Sequence, residues 1–192
     1  MTLDIPDSRV FDWLGVDSNG VGYYLHPLNL VWSNDGPEHD LRIFGSVAKR
    51  LLEQPEHWAE IIQSASWRHT LVGCVCVMLV RPNDRFDDLL YRFEHGSFVS
   101  PQICMTMGIV YPDTTVDCLN AFLNNRKDGQ REYKEIMSAQ SVLARLGVPR
   151  SDPIKLDDLE SFDRDDATIA ERVVDHQWAF WSKHSGDAQY AA

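Results

Sequence analysis

Seven histidines, four cysteines and 29 acidic residues are the side chains of this 192-residue chain with which metal binding, nucleophilic attack or proton transfer could be built. The histidines stand at His26, His39, His57, His69, His95, His176 and His184. No two fall at i, i+3 or i, i+4 spacing on a predicted helix, so no pair shares a face from which to hold one ion. His95 precedes Gly96 at a predicted helix end, where a positive charge suits the dipole, so its reading is structural. Asp175 and His176 are neighbours in sequence and therefore point to different faces. The same holds for Cys74 and Cys76, and the usual C-x2-C and H-x3-H pairs are missing. There is no G-x-S-x-G elbow, no H-E-x-x-H, no phosphate loop and no G-x-G-x-x-G. The expectation is no catalytic residue, no metal ligand and no cofactor.

What remains chemically distinctive is charge. The formal net charge is -11, from 29 Asp and Glu against 18 Lys and Arg. Affinity for nucleic acid rests on cations that neutralise phosphates, so a whole-surface nucleic-acid binder is excluded. Residues 151–192 carry ten acids and four bases, and the densest stretch runs from Asp152 to Asp166. Two readings fit it. It is a solvated connector whose Asp165 and Asp166 sit near the positive end of the last helix, or it is a docking surface for a basic partner. In the second reading Asp157, Asp158, Glu160, Asp163, Asp165 and Asp166 make the contact, with Tyr23, Tyr24 and Trp32 as aromatic anchors. A calcium loop is disfavoured because the stretch lacks the central glycine and terminal glutamate of the twelve-residue pattern.

The elements that must position these groups follow a period of 31 residues. Ser66-Trp67 and Ser97-Phe98 each open a long apolar run, and the same shift sets Cys74, Cys76, Met78 and Leu79 against Met105, Met107, Ile109 and Val110. Upstream, Phe44, Ala48, Trp58 and Ala59 fall on Val75, Leu79, Leu89 and Leu90. Such a period marks stacked supersecondary units, each too small to bury its own apolar face. Stop and start signals agree. Ser100-Pro101 reads as an N-cap with proline at the first helical position, Thr114 with Asp117 as a capping-box-like start, and Asn83 or Asp84 as a cap for the Phe86–Phe93 segment. Gly96 and Gly147 close helices, with Pro149 beyond the second. Leu71 to Val80 alone is ambiguous, since a valine-rich apolar run fits either a buried strand or a fully buried helix; its length from Trp67 favours the helix.

At the ends the pattern changes. Asn19-Gly20, flanked by Phe11, Trp13 and Val16 and by Tyr23 and Leu25, predicts a small N-terminal β-hairpin, although Asp12 to Gly15 fits a short helix equally well. Ala170, Val173, Val174, Gln177, Trp178 and Trp181 form a helical stripe that can close the last layer. The expected fold is all-α, with stacked antiparallel helix pairs in one domain. Residues 1–36 form a cap segment, 37–146 the repeats, 147–165 the acidic connector and 166–185 the last helix. The longest apolar run falls short of the roughly 20 residues that span a bilayer, and Met1 to Asp7 lack a secretory pattern. Cysteines confined to apolar runs read as core thiols, so a cytoplasmic protein is expected.

The pattern from Pro37 to Leu146 resembles HEAT-like α-hairpin repeats, with a period shorter than the roughly 40 residues usual there. What that resemblance implies is a concave surface for protein recognition. In size and charge the chain is also similar to small acidic bacterial immunity proteins, whose partners are basic toxins. The leading expectation is therefore a protein-binding module, an immunity-type inhibitor being its concrete form. The alternatives are an enzyme with a site between helices, where Arg42, Arg68 and His69 meet the connector acids, and a scaffold or oligomeric subunit.

Overall fold

In the computed structural model, residues 14–125, 133–149, 153–154 and 159–186 are described. Helix α1 is one turn, His26–Asn29, and follows a 3-10 turn at Tyr23–Leu25. Gly36, with φ +84, turns the chain into α2 (Pro37–Glu53), where proline presets the first helical φ and Glu38 and Asp40 lie near the positive end. Leu41, Phe44, Val47, Ala48 and Leu51 then recur at helical spacing and are buried. The remaining helices are α3 (His57–Ile62), α4 (Trp67–Val80), α5 (Phe86–Glu94), α6 (Ser100–Val110), α7 (Pro112–Asn124), α8 (Tyr133–Arg145) and α9 (Ser161–His184). No strand forms among the described residues.

Helices α2, α4, α6 and α8 lie side by side as one row. Those of the second row lean on the first: α3 on α4, α5 on α6, and α7 on both α6 and α8. Helix α9 crosses the row, touching α8, α6 and α4, while α1 and the 3-10 turn pack on α4. This closure explains the ambiguous segment. Every residue from His69 to Leu79 is buried, and only a helix with neighbours on all sides can be apolar all round. The period also has a spatial meaning, since Trp67 and Phe98 meet with ring centroids 5.3 Å apart. Where α6, α8 and α9 converge, a Cβ on Gly108 would come within 2.6 Å of Val142 Cγ1 and 3.2 Å of the Trp178 ring.

Several local expectations are corrected. The hairpin shrinks to one antiparallel bridge, Val16 to Gly22. The Asp17 carboxylate takes the backbone N–H groups of Asn19 (2.8 Å) and Val21 (2.9 Å), which tightens the turn inside that bridge. Phe11 and Trp13 lie outside the described residues. Ser100 is the first residue of α6 rather than its cap: its hydroxyl accepts from Ser97 N–H (3.0 Å) and reaches Glu135 Oε1 (2.6 Å). Helix α7 begins at Pro112, ahead of Thr114, because Tyr111 alone joins it to α6. Asp84 pairs with Arg85 instead of capping α5. Gly96 (φ +71) and Gly147 (φ +79) do close their helices, and Val148 N–H reaches Leu143 O at 2.9 Å. The last helix starts at Ser161, not 166, and takes Asp163 into its first turn.

Cys74, Cys76 and Cys104 are buried and Cys118 is partly exposed. Burial pushes the Cys74 thiol up to about 12 and raises Cys76 and Cys104 as well. Burial and then Asp117, Glu94 and Asp87 raise Cys118. A neutral thiol reagent should therefore modify Cys118 alone, and slowly, in the folded chain and all four cysteines in denaturant. Fast modification of a second thiol in native buffer would contradict the closed row.

Candidate functional site

Polar and aromatic side chains gather at several places among the described residues. The first joins the N-terminal segment to α2. Asp40, fully buried in the first turns of α2, receives the Ser33 backbone N–H (2.9 Å) and the Ser33 hydroxyl (2.5 Å). Its Oδ2 lies 2.5 Å from His26 Nδ1, and His26 Nε2 faces Asp17 Oδ2 at 3.4 Å. The backbone N–H of Val21, the main influence, lowers the Asp17 carboxyl against the opposing effect of burial. Ser, His and Asp are thus together, but not as a nucleophilic triad. Both ring nitrogens face carboxylates, and the serine hydroxyl points at Asp40, so no imidazole lone pair is set to activate it. What the cluster does is pin the chain before α2 onto the helix.

The second grouping is where α1 meets α9. Gln177 and Gln102 both donate through Nε2 to Leu28 O, at 2.7 and 3.3 Å. Beside them an open groove of about 660 Å³ is lined by Asn29, Ile169, Arg172, Val173, Asp175, His176 and Gln177. Asp175 is paired with Arg145 (2.6 Å) across to α8. The groove has apolar walls and charged rims, without a nucleophile and base in hydrogen-bond contact.

The third grouping is on the outer surface. On α5, Tyr91 is 45% exposed and its ring stacks on His95 at 4.0 Å. Asp87 and Glu94 share its side of the helix at i-4 and i+3 spacing, and their charges, with that of Asp117 on α7, act on the Cys118 thiol. Asp88, by contrast, is committed to Gln63 (2.7 Å) and Arg85 (3.3 Å).

No family model matches the chain, nor does any curated protein or solved structure. Of the residues expected to contact a partner, Asp157 and Asp158 lie outside the described residues. Glu160 is exposed at the N-cap position of α9, Asp165 is exposed one turn on, and Asp163 and Asp166 are partly buried. Tyr23 faces inward: its hydroxyl is 3.3 Å from His39 Nε2, and burial, then Asp40, Asp35 and Asp17, raise its phenol. Trp32 stacks on Phe180 at 5.0 Å and meets Trp181 edge-on, which ties the N-terminal segment to α9. Tyr24 is half-buried under Arg68, 5.9 Å from its ring. Of the groups considered for an enzyme, Arg42 is exposed on α2 while His69 is buried in α4, where desolvation lowers its pKa. Tyr91 was not singled out by sequence, although its i-4 and i+3 acids were a readable signal.

Proposed function

We propose that the chain is a protein-recognition module, built as a HEAT-like stack and acting as an immunity-type inhibitor of a basic toxin or effector. The single observation carrying this reading is the exposed Tyr91 ring, braced by His95, with Asp87 and Glu94 at i-4 and i+3 on the same helix. A large aromatic anchor held in one place loses little entropy on binding, and a rim of carboxylates selects cations. The net charge of -11 would draw a basic partner toward that rim. With α9 and the N-terminal segment laid across the row of α4, α6 and α8, the outer row is the face left for recognition. The acids Glu160 and Asp165 extend the negative surface at the start of α9.

The test is capture from the source cell on the immobilised chain, followed by a salt titration. A basic protein should be retained at low ionic strength and released as salt screens the rim. Tyr91→Ala should weaken retention by about 2 kcal/mol, roughly 30-fold, and Asp87→Lys with Glu94→Lys should abolish it. Retention that ignores both changes, or no partner at low salt, removes the proposal.

A further inference from the structure

The strip where the period meets the surface has the opposite sign to the molecule. Phe98 is 60% exposed and Trp67 partly so, and they lie in ring contact at the starts of α6 and α4. The Arg68 guanidinium sits over Trp67 at 4.4 Å and reaches over Tyr24 at 5.9 Å. At the other end Lys134 Nζ lies over Phe98 at 4.5 Å. The result is a continuous ridge, Tyr24, Arg68, Trp67, Phe98 and Lys134, drawn from four segments. Within Gly22–Leu25, Ser64–Thr70, Gly96–Ser100 and Tyr133–Ile136 the one acid is Glu135, which is buried against Ser100. No exposed carboxylate in those segments answers the two cations, in a chain whose formal charge is -11.

The stacking also decides what the cations can still do. A guanidinium over an aromatic ring uses its flat face and keeps its edge N–H donors free to point outward. No hydrogen bond or ion pair joins Arg68 or Lys134 side-chain nitrogens to an acceptor among the described residues. An arginine held against a ring has already lost part of its rotamer freedom, so a planar carboxylate can dock on it bidentately at reduced entropic cost. Between the two cations the Trp67 and Phe98 rings offer apolar surface of the kind that anchors recognition.

We propose that this ridge is a docking site for an acidic segment of a partner protein, one that sets an aromatic or aliphatic side chain between carboxylates. Its carboxylates meet Arg68 and Lys134, and its apolar residue lies against Phe98 and Trp67. The proposal is independent of the acid-flanked Tyr91, which lies on α5 and takes the opposite charge.

The probe is a short fluorescent peptide of Asp and Glu around a central Phe and Leu, with a Lys-for-acid version as control. Anisotropy at low salt should show the acidic peptide binding the full chain and the basic version not binding through the ridge. Arg68→Glu and Lys134→Glu should each weaken the acidic peptide at least tenfold, and Phe98→Ser should do the same without changing the charge. All three positions are at the surface, so thermal unfolding should stay close to the parent's. Tyr91→Ala should leave acidic-peptide affinity unchanged, which separates failure of this site from failure of the basic-partner reading. Absence of acidic-peptide binding overturns the proposal, as does binding that survives all three ridge substitutions.

Discussion

Asp40→Ala is expected to destabilise the fold by about 3–5 kcal/mol, the cost of removing one member of a buried, hydrogen-bonded charged cluster. Asp40 is fully buried and takes three hydrogen bonds, from the Ser33 amide, the Ser33 hydroxyl and His26. Alanine leaves all three groups desolvated with nothing to bond, and that loss exceeds the net worth of any one bond. For a chain of this length the change corresponds to a fall in melting temperature of roughly 6–20 °C. Asp40→Asn, which keeps the shape and one acceptor oxygen, should cost less than alanine. Scanning calorimetry of the two variants checks the order, and equal losses would mean that charge rather than shape holds the cluster. The pH dependence has a definite sign through Asp17, whose carboxyl is lowered in the folded chain chiefly by the Val21 amide. A lowered carboxyl stabilises the fold at pH above its unfolded value, and that stabilisation is lost as pH falls through the folded value. Acid unfolding of Asp17→Asn should therefore be less steep below about pH 4 than that of the parent.

The helices and their pairing could be read from sequence because their signals are local. Ser66-Trp67 and Ser97-Phe98 mark two equivalent starts, Gly96 and Gly147 mark stops, and the apolar spacing between them sets each inward face. The capping residues were less legible. Ser100, Thr114 and Asp84 each have the chemistry of a cap, but a carboxylate 35 residues away, a one-residue link and a neighbouring arginine took them elsewhere. The His26, Ser33 and Asp40 cluster had no period to betray it, since it forms across the bend at Gly36-Pro37. The ridge is an intermediate case. Its aromatic positions were the strongest sequence signal, yet that they are neighbours at the surface follows only from the side-by-side packing of α4 and α6. That α9 lies against α8, α6 and α4 rather than against the last layer alone was the least legible feature. Its cause lay in the sequence all the same: α4 is apolar on every face, and a helix of that kind requires a cover on the side its partners leave open.

Trp181→Ala tests that cover, with an expected loss of about 3–5 kcal/mol. The residue is 1% exposed, and its ring meets Phe180 edge-on at 5.0 Å and Trp32 at 6.4 Å. Just beyond it, Ser185 Oγ and Gly186 N–H both reach Met78 O at 2.9 Å, and Arg81 Nε reaches Ser185 Oγ at the same distance. The C-terminal end of α9 is thus latched to the C-terminal end of α4, and Trp181 is the largest buried group beside the latch. If α9 merely decorated an open stack, alanine there would expose a local patch and cost little. With α9 closing the row, the cavity opens onto helices that have no polar face to turn outward, so the loss should be large and cooperative. Urea unfolding should show a lower midpoint with an unchanged slope, since the surface exposed on unfolding is the same. Tyr91→Ala, at an exposed position, should change the stability by no more than about 0.5 kcal/mol. A small loss at Trp181 would return the inner face of α4 and α6 to solvent, and the outer-row surface would then no longer be the face left for a partner.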